Sequence, residues 1–270
     1  MQRKNIQKQK IMIKAIFLDI DGTLASFNTH RISHTTRQAI KALKDKGIKV
    51  FIASGRSSFE LDILDNIQFD GYIILNGSHC YSAEGIDIYK HPIPKDDISR
   101  LVKWLENNTT PFLFVHDKGQ FINRVNEEVK KLSQLVEVAI PEVISAEYAL
   151  DKDILQLAGY FNEDEENDLL TKILIHCEQA RWCPYFTDII AHGNSKSNGI
   201  QRMLDHYNIS INETMAFGDG GNDISMLQYV AIGVAMGNAS DEVKVAANYV
   251  TDTVDNEGVY QALKHFGILD

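Results

Sequence analysis

Ile11-Met12-Ile13-Lys14-Ala15-Ile16-Phe17-Leu18 runs without a break into Asp19-Ile20-Asp21-Gly22-Thr23-Leu24. The apolar run reads as a strand buried on both faces, the kind found inside a parallel sheet. Two carboxylates stand at its end, and Gly22 supplies a turn directly after the second. Paired carboxylates repel, and burial raises their cost. Such a site calls for a cation, a proton or another compensating group. A strand closing in a plain polar turn would explain a single Asp-Gly pair; it does not explain the further pieces downstream.

The first third of the chain repeats this style. Strands are expected over 13–18, 48–53 and 72–75, alternating with helices over 35–46 and 57–67. Near-continuous apolar strands separated by amphipathic helices indicate a doubly wound parallel sheet covered on both faces, an α/β, Rossmann-like core. The last third matches, with helices over 196–207, 223–229 and 256–266 and strands over 214–217 and 231–235. The middle is different. A strand over 86–89, a hairpin over 112–124 around Asp117-Lys118-Gly119, strands over 154–160 and 181–185, and helices over 95–107, 126–135 and 162–177 make an inserted α+β unit. His91-Pro92-Ile93-Pro94 and Cys183-Pro184 are candidate crossing points. The organisation expected is core over 1–81, insert over 82–187 and core over 188–270, with residues 1–11 a flexible tail. The run Glu163-Asp164-Glu165-Glu166 reads as a solvated helix face.

Composition sets the outer bounds. The 270 residues are 44% hydrophobic and 24% charged, ordinary for a globular protein. A net charge of −10 gives no sequence-wide footprint for nucleic acid, although it leaves anionic small molecules open. Three cysteines, Cys80, Cys177 and Cys183, without a C-x-x-C, disfavour a disulfide scaffold or a Cys-rich zinc site and fit a reducing, cytoplasmic setting. No apolar run reaches the roughly 18 residues of a membrane span. Nothing in the sequence marks an obligate protein partner.

In doubly wound sheets ligands sit beyond the carboxyl ends of the strands. Asp19 and Asp21 follow the first strand, Ser54-Gly55-Arg56 the second and Asn76-Gly77 the third. Gly218-Asp219-Gly220-Gly221-Asn222-Asp223 follows the strand over 214–217, and Lys196 opens a helix. Singly, each is weak: Ser54-Gly55-Arg56 also serves as a plain strand-to-helix turn, and a lone lysine belongs more often to a surface. The acidic and amide groups of Gly218–Asp223 suit a hard cation better than a pyrophosphate. No G-x-x-x-x-G-K-[ST] is present, which disfavours a P-loop enzyme.

Taken in chain order, Asp19–Leu24, Ser54–Arg56, Lys196 and Gly218–Asp223 resemble the four motifs of the haloacid dehalogenase (HAD) superfamily of aspartate-nucleophile phosphohydrolases. The insert between the second and third resembles the large cap of its Cof-type (IIB) branch. The resemblance implies Asp19 as nucleophile and metal ligand and Asp21 as general acid/base, its backbone carbonyl also on the metal. It implies Lys196 as neutralising cation. Asp219 and Asp223 serve the metal, Mg²⁺, and the Ile20 and Gly55 amides, Ser54 and Asn222 serve the phosphate. Arg56 and Asn76 are candidates for substrate contact, and Thr23 orients the loop. His116, Asp117 and Arg124 in the insert, and His192, read as surface or strand-end residues. The expected activity is a Mg²⁺-dependent phosphatase of small phosphorylated metabolites, sugar phosphates foremost. The rivals are a phosphotransferase or phosphomutase of the same fold, or a phosphate-ester-binding regulator without turnover.

Overall fold

The computed structural model describes residues 12–135, 139–161, 163–183 and 186–270. The expected tail over 1–11, the Pro184 half of one expected crossing and the side chains of Glu163–Glu166 lie outside what is described. The chain opens with β1 (Ala15–Leu18), β2 (Lys49–Ala53), β3 (Gly71–Ile74), β4 (His79–Ser82) and β5 (Asp87–Lys90). Then come β6 (Phe112–His116), β7 (Gly119–Ile122), β8 (Ile154–Gly159), β9 (Cys177–Cys183) and β10 (Phe186–Ala191). It closes with β11 (Thr214–Gly218), β12 (Ile232–Ala235) and β13 (Tyr249–Val250).

These strands make an eight-stranded sheet in the order β13-β12-β11-β1-β2-β3-β4-β5 and a five-stranded sheet in the order β7-β6-β8-β10-β9. β1 is central and pairs in parallel with both β2 and β11, so its two faces and two edges are all covered. Alternation along it is clean: Ile16 and Leu18 join one core cluster, Ala15 and Phe17 the other. Helices α1 (His34–Asp45) and, at the chain's end, Gly258–His265 cover the first face through Ala39, Ile40, Leu43, Val259, Ala262 and Leu263. The helix Lys196–Tyr207 covers the second through Ile200, Met203 and Leu204. Phe17 and Phe51 stack there at 5.0 Å, each wholly buried. A side chain of that size contributes about 1.5–3 kcal/mol on burial.

Several sequence expectations change: the helix expected over 162–177 ends at Lys172, and the single strand expected over 181–185 becomes β9 and β10. The strand expected over 86–89 in the insert instead pairs antiparallel with β4 at the edge of the first sheet. β4 itself, His-Cys-Tyr-Ser, carries too little apolar character to be seen as a strand, yet it hydrogen-bonds to β3. The chain therefore passes to the second sheet after Lys90 rather than at 82, and leaves it after Ala191 rather than at 187. The segment over 57–67 is a 3₁₀ helix limited to Ser58–Leu64. Glu60 accepts from both the Ser57 N–H and Oγ at its start, and Asp65 and Asn66 with φ of 45° and 62° end it.

One face of the second sheet packs on helices. Ile98, Leu101, Val102 and Leu105 of the helix Lys95–Leu105 meet Phe112, Phe114, Ile154 and Leu157. Its other face meets the first sheet, where Val115 and Leu155 pack on Ile74 and Leu75. Both strands of chain connecting the sheets are tied by buried Asn194, whose Nδ2 donates to Ser78 Oγ and to the His91 carbonyl, each at 3.0 Å. Among the described residues no helix is long and apolar enough to cross a membrane.

Candidate active site

The register of the large sheet aligns the ends of its strands. Leu18 lies beside Ile52 and Phe217, and Ala53 beside Ile73. Asp19, Ser54, Asn76 and Asp219 consequently emerge at one edge. After β1 the chain turns at once: the Thr23, Leu24 and Ala25 amides all donate to the Ile20 carbonyl, and Gly22 takes φ of +77°. A side chain at 22 would meet Asp219 Oδ2 at 2.2 Å, so the glycine is required by both conformation and space.

Asp19, Asp219 and Asp223 each bring an oxygen within 4.8 Å of the others. Between two of them sits Lys196, its side chain wholly buried, donating to Asp19 Oδ1 at 2.6 Å and Asp223 Oδ1 at 2.5 Å. Lysine reaches this position because Ser195, with Oγ accepting from Asn198 N–H, caps the helix whose first residue is Lys196. The second oxygen of Asp223 accepts from the backbone N–H groups of Asp219 and Gly220, both at 2.9 Å. Asp219 accepts from Thr23 Oγ1 at 3.1 Å and from Asn238 Nδ2 at 3.0 Å.

Three carboxylates face one ammonium, and the titration behaviour follows. Burial, then the charge of Asp223, pushes the Asp19 carboxyl well above the usual carboxylate range, with Lys196 opposing. Burial lifts Asp219 to about 7, again with Asp223 adding to it. Burial opposes the charge on Lys196, but Asp19 and Asp223 outweigh it and raise its value. The cluster is short of positive charge. Its oxygen donors match a hard divalent cation, which would relieve that shortage.

Asp21 goes elsewhere. Its carboxylate is held in a bidentate pair by Arg56, at 2.7 Å from Nε and 2.8 Å from Nη2, while Nη1 donates to the Glu60 carbonyl at 3.1 Å. The side chain expected to contact substrate thus carries an anchor for its neighbour. Ser54 and Asn76 are buried at the same edge. Asn222 Nδ2 donates to Asn76 Oδ1 at 2.9 Å. The N–H groups of Ile20 and Gly55 have no hydrogen-bond partner among the described residues.

The residues read as surface or strand-end positions have surroundings of their own. His116 packs on Phe121 and Tyr148, and its Nδ1 accepts from Lys118 N–H within its own hairpin. Asp117 pairs with Lys90 at 3.1 Å, and His192 is exposed. Two residues were missed. Asn238 follows β12, so the strand-end rule would have found it; besides Asp219 it donates to the Gly22 carbonyl at 2.9 Å. Gln156 on β8 accepts from Asn76 Nδ2 at 3.3 Å, and no local signal marks it.

A family model for haloacid dehalogenase-like hydrolases matches residues 16–263. The chain belongs to the haloacid dehalogenase-like hydrolases. Among curated relatives, the putative phosphatase YkrA of Bacillus subtilis is 35% identical over 95% of this chain and 98% of its own. The solved structure of BT4131, described as a HAD subclass IIB sugar phosphatase, superposes with a TM-score of 0.87 at 43% identity, over 95% of this chain and all of the other. The phosphatase BT1666 of Bacteroides thetaiotaomicron gives 0.91 at 39% identity over 99% of this chain and all of its own. Both superpositions take in nearly all of this chain, the inserted five-stranded unit included.

Proposed function

We propose that this HAD-superfamily phosphatase hydrolyses phosphate monoesters of small polyhydroxylated metabolites, sugar phosphates foremost, with Mg²⁺, in the cytoplasm. The observation that carries the reading is Lys196, buried between Asp19 and Asp223 with Asp219 beside them. A carboxylate attacking a phosphate ester adds negative charge to an already anionic centre, and fixed positive charge in a dry site is what lowers that barrier. Asp19 is the nucleophile: its oxygen forms a bond to phosphorus as the ester oxygen leaves, giving an aspartyl-phosphate that water then hydrolyses. Asp21 protonates the leaving oxygen and afterwards takes a proton from the water. The free N–H groups of Ile20 and Gly55, with Ser54 and Asn222, receive the phosphoryl oxygens. Lys196 holds Asp19 ionised and aimed.

Asp19, Asp219 and Asp223 would hold the Mg²⁺, with the Asp21 backbone carbonyl contributing, and Thr23 and Asn238 fix Asp219 for that purpose. When bound, the ion supplies positive charge against the phosphoryl oxygens. BT4131, a sugar phosphatase, supports the substrate class, and the two free buried thiols among the described residues, Cys80 and Cys177, support a reducing compartment. The units over 91–191 act as the lid that excludes water from the intermediate.

The test is phosphate release from a panel of sugar phosphates, nucleotides and cofactor phosphates, with Mg²⁺ or EDTA, and with Asp19→Asn as control. Release that needs both Mg²⁺ and Asp19 is expected, hexose and pentose phosphates ranking highest by kcat/KM. A folded, Mg²⁺-loaded protein that releases phosphate from none of them refutes the reading.

A further inference from the structure

The alternation of β8 breaks once. Val115 of β6 lies opposite Gln156 and His116 opposite Ile154, which leaves Leu155 as an extra residue on β8. A bulge of this kind re-aims the side chains around it and recurs beside active sites. Ile154 and Leu157 both belong to the cluster under the helices of the inserted unit, whereas Leu155 packs with Ile74 and Leu75 of the core. Gln156, between them, also turns to the core. In an unbroken strand it would share the face of Ile154, among apolar side chains.

The core meets it with a constrained residue. Leu75 and Asn76 have φ of 51° and 53°, and Gly77 follows at 93°. A left-handed leucine is disfavoured, and strain of this sort persists where function or surroundings impose it. The turn places Asn76 so that it accepts from Asn222 and donates to Gln156 Oε1, a run of amides from the phosphate edge to the inserted unit. At its far end Gln156 is 6% exposed, and its Nε2 has no hydrogen-bond partner among the described residues. Both N–H donors of Nε2 stand unspent over the site. Val115 opposite Gln156, with Leu155 and Leu75 nearby, is apolar, so the inserted unit presents a neutral donor beside an aliphatic wall.

We propose that Gln156 is a specificity residue: its Nε2 donates to a hydroxyl or ether oxygen of the alcohol that leaves the phosphate. The leaving group it fits is neutral and oxygenated, with a C–H face for the aliphatic wall, as in a hexose ring. This rests on the phosphatase reading, and the experiment separates the two. Wild type, Gln156→Leu and Gln156→Glu are assayed for phosphate release from hexose 6-phosphates, from glycerol phosphate and from phenyl phosphate. The phenyl leaving group carries no oxygen beyond the bridging one. Glutamate keeps the size of glutamine and an acceptor for Asn76 while losing the NH₂ donor, so it remains informative if the leucine variant fails to fold. Both variants should lose about tenfold in kcat/KM on the best hexose phosphate, the scale of one buried hydrogen bond. Phenyl phosphate should change less than about twofold.

Equal losses on hexose and phenyl phosphates would make Gln156 a mere support for Asn76 and overturn the proposal, as would no loss on either. Wild type that cleaves phenyl phosphate but no hexose or glycerol phosphate overturns the proposal and leaves the phosphatase reading standing. No hydrolysis of any ester overturns both.

Discussion

Replacing Lys196 by methionine keeps the length of the side chain and removes its charge. At an effective dielectric near 20, an ammonium 2.6 Å from Asp19 and 2.5 Å from Asp223 gains about 6 kcal/mol from each. Carboxylate oxygens as far apart as 4.8 Å repel by about 3.5 kcal/mol per pair on the same scale. Most of the lost attraction is offset, because the variant no longer dehydrates an ammonium. Breaking a buried pair from one side typically leaves a net loss of about 3–5 kcal/mol. The loss must also depend on pH. Asp19 already has a raised carboxyl value with Lys196 opposing the rise, so without the lysine it rises further. The folded variant then binds extra protons at low pH, and its stability falls more steeply than wild type as pH increases. Urea unfolding in EDTA should show Lys196→Met destabilised by about 4 kcal/mol at pH 8 and by about half that at pH 5. Adding Asp19→Asn to it should return part of the loss at pH 8, because one of the three facing charges is gone. A loss below about 1 kcal/mol, or one identical at both pH values, would refute the argument that Lys196 neutralises this cluster.

Asp219 gives a second pH signature. Its carboxyl stands at about 7 in the fold against an ordinary 3.8, so between these values the folded state holds more protons and stability declines as pH rises. Metal-free Asp219→Asn should show a flatter decline in Tm from pH 5 to pH 8 than wild type. Saturating Mg²⁺, at roughly 100 times its Kd, should add about 2.7 kcal/mol to wild type at pH 8 and much less to the variant. Arg56→Lys keeps the charge but cannot form the two-point grip on Asp21. It should lower kcat about tenfold or more while Tm changes little, because this pair is partly exposed. A change confined to KM would instead make Arg56 a substrate contact. Gly22→Ala forces a methyl group against Asp219 and the Phe27 ring at a φ of +77°. Mg²⁺ affinity by calorimetry should fall at least about tenfold, on top of a backbone cost of about 1–2 kcal/mol; unchanged affinity would place Asp219 outside the metal site.

The sequence by itself determined the parts whose position depends on the local chain. An apolar run long enough to be a central strand, followed directly by Asp19, fixes where that carboxylate emerges, since strands in a parallel sheet all release their chain at one edge. Ser54, Asn76 and Asp219 share that edge for the same reason, and a serine cap before Lys196 sets the start of its helix. Three features were decided only in three dimensions. Asp21 pairs with Arg56 across 35 positions, because the length of the turn at Gly22 and the direction of the 3₁₀ helix after Arg56 together determine which charges meet. The strands over 79–90 join the core sheet although their composition is unremarkable: an edge hairpin needs backbone partners more than apolar side chains. Gln156 faces the site through one extra residue in β8, and a one-residue offset reverses the face of a side chain without leaving any mark in the pattern of residue types.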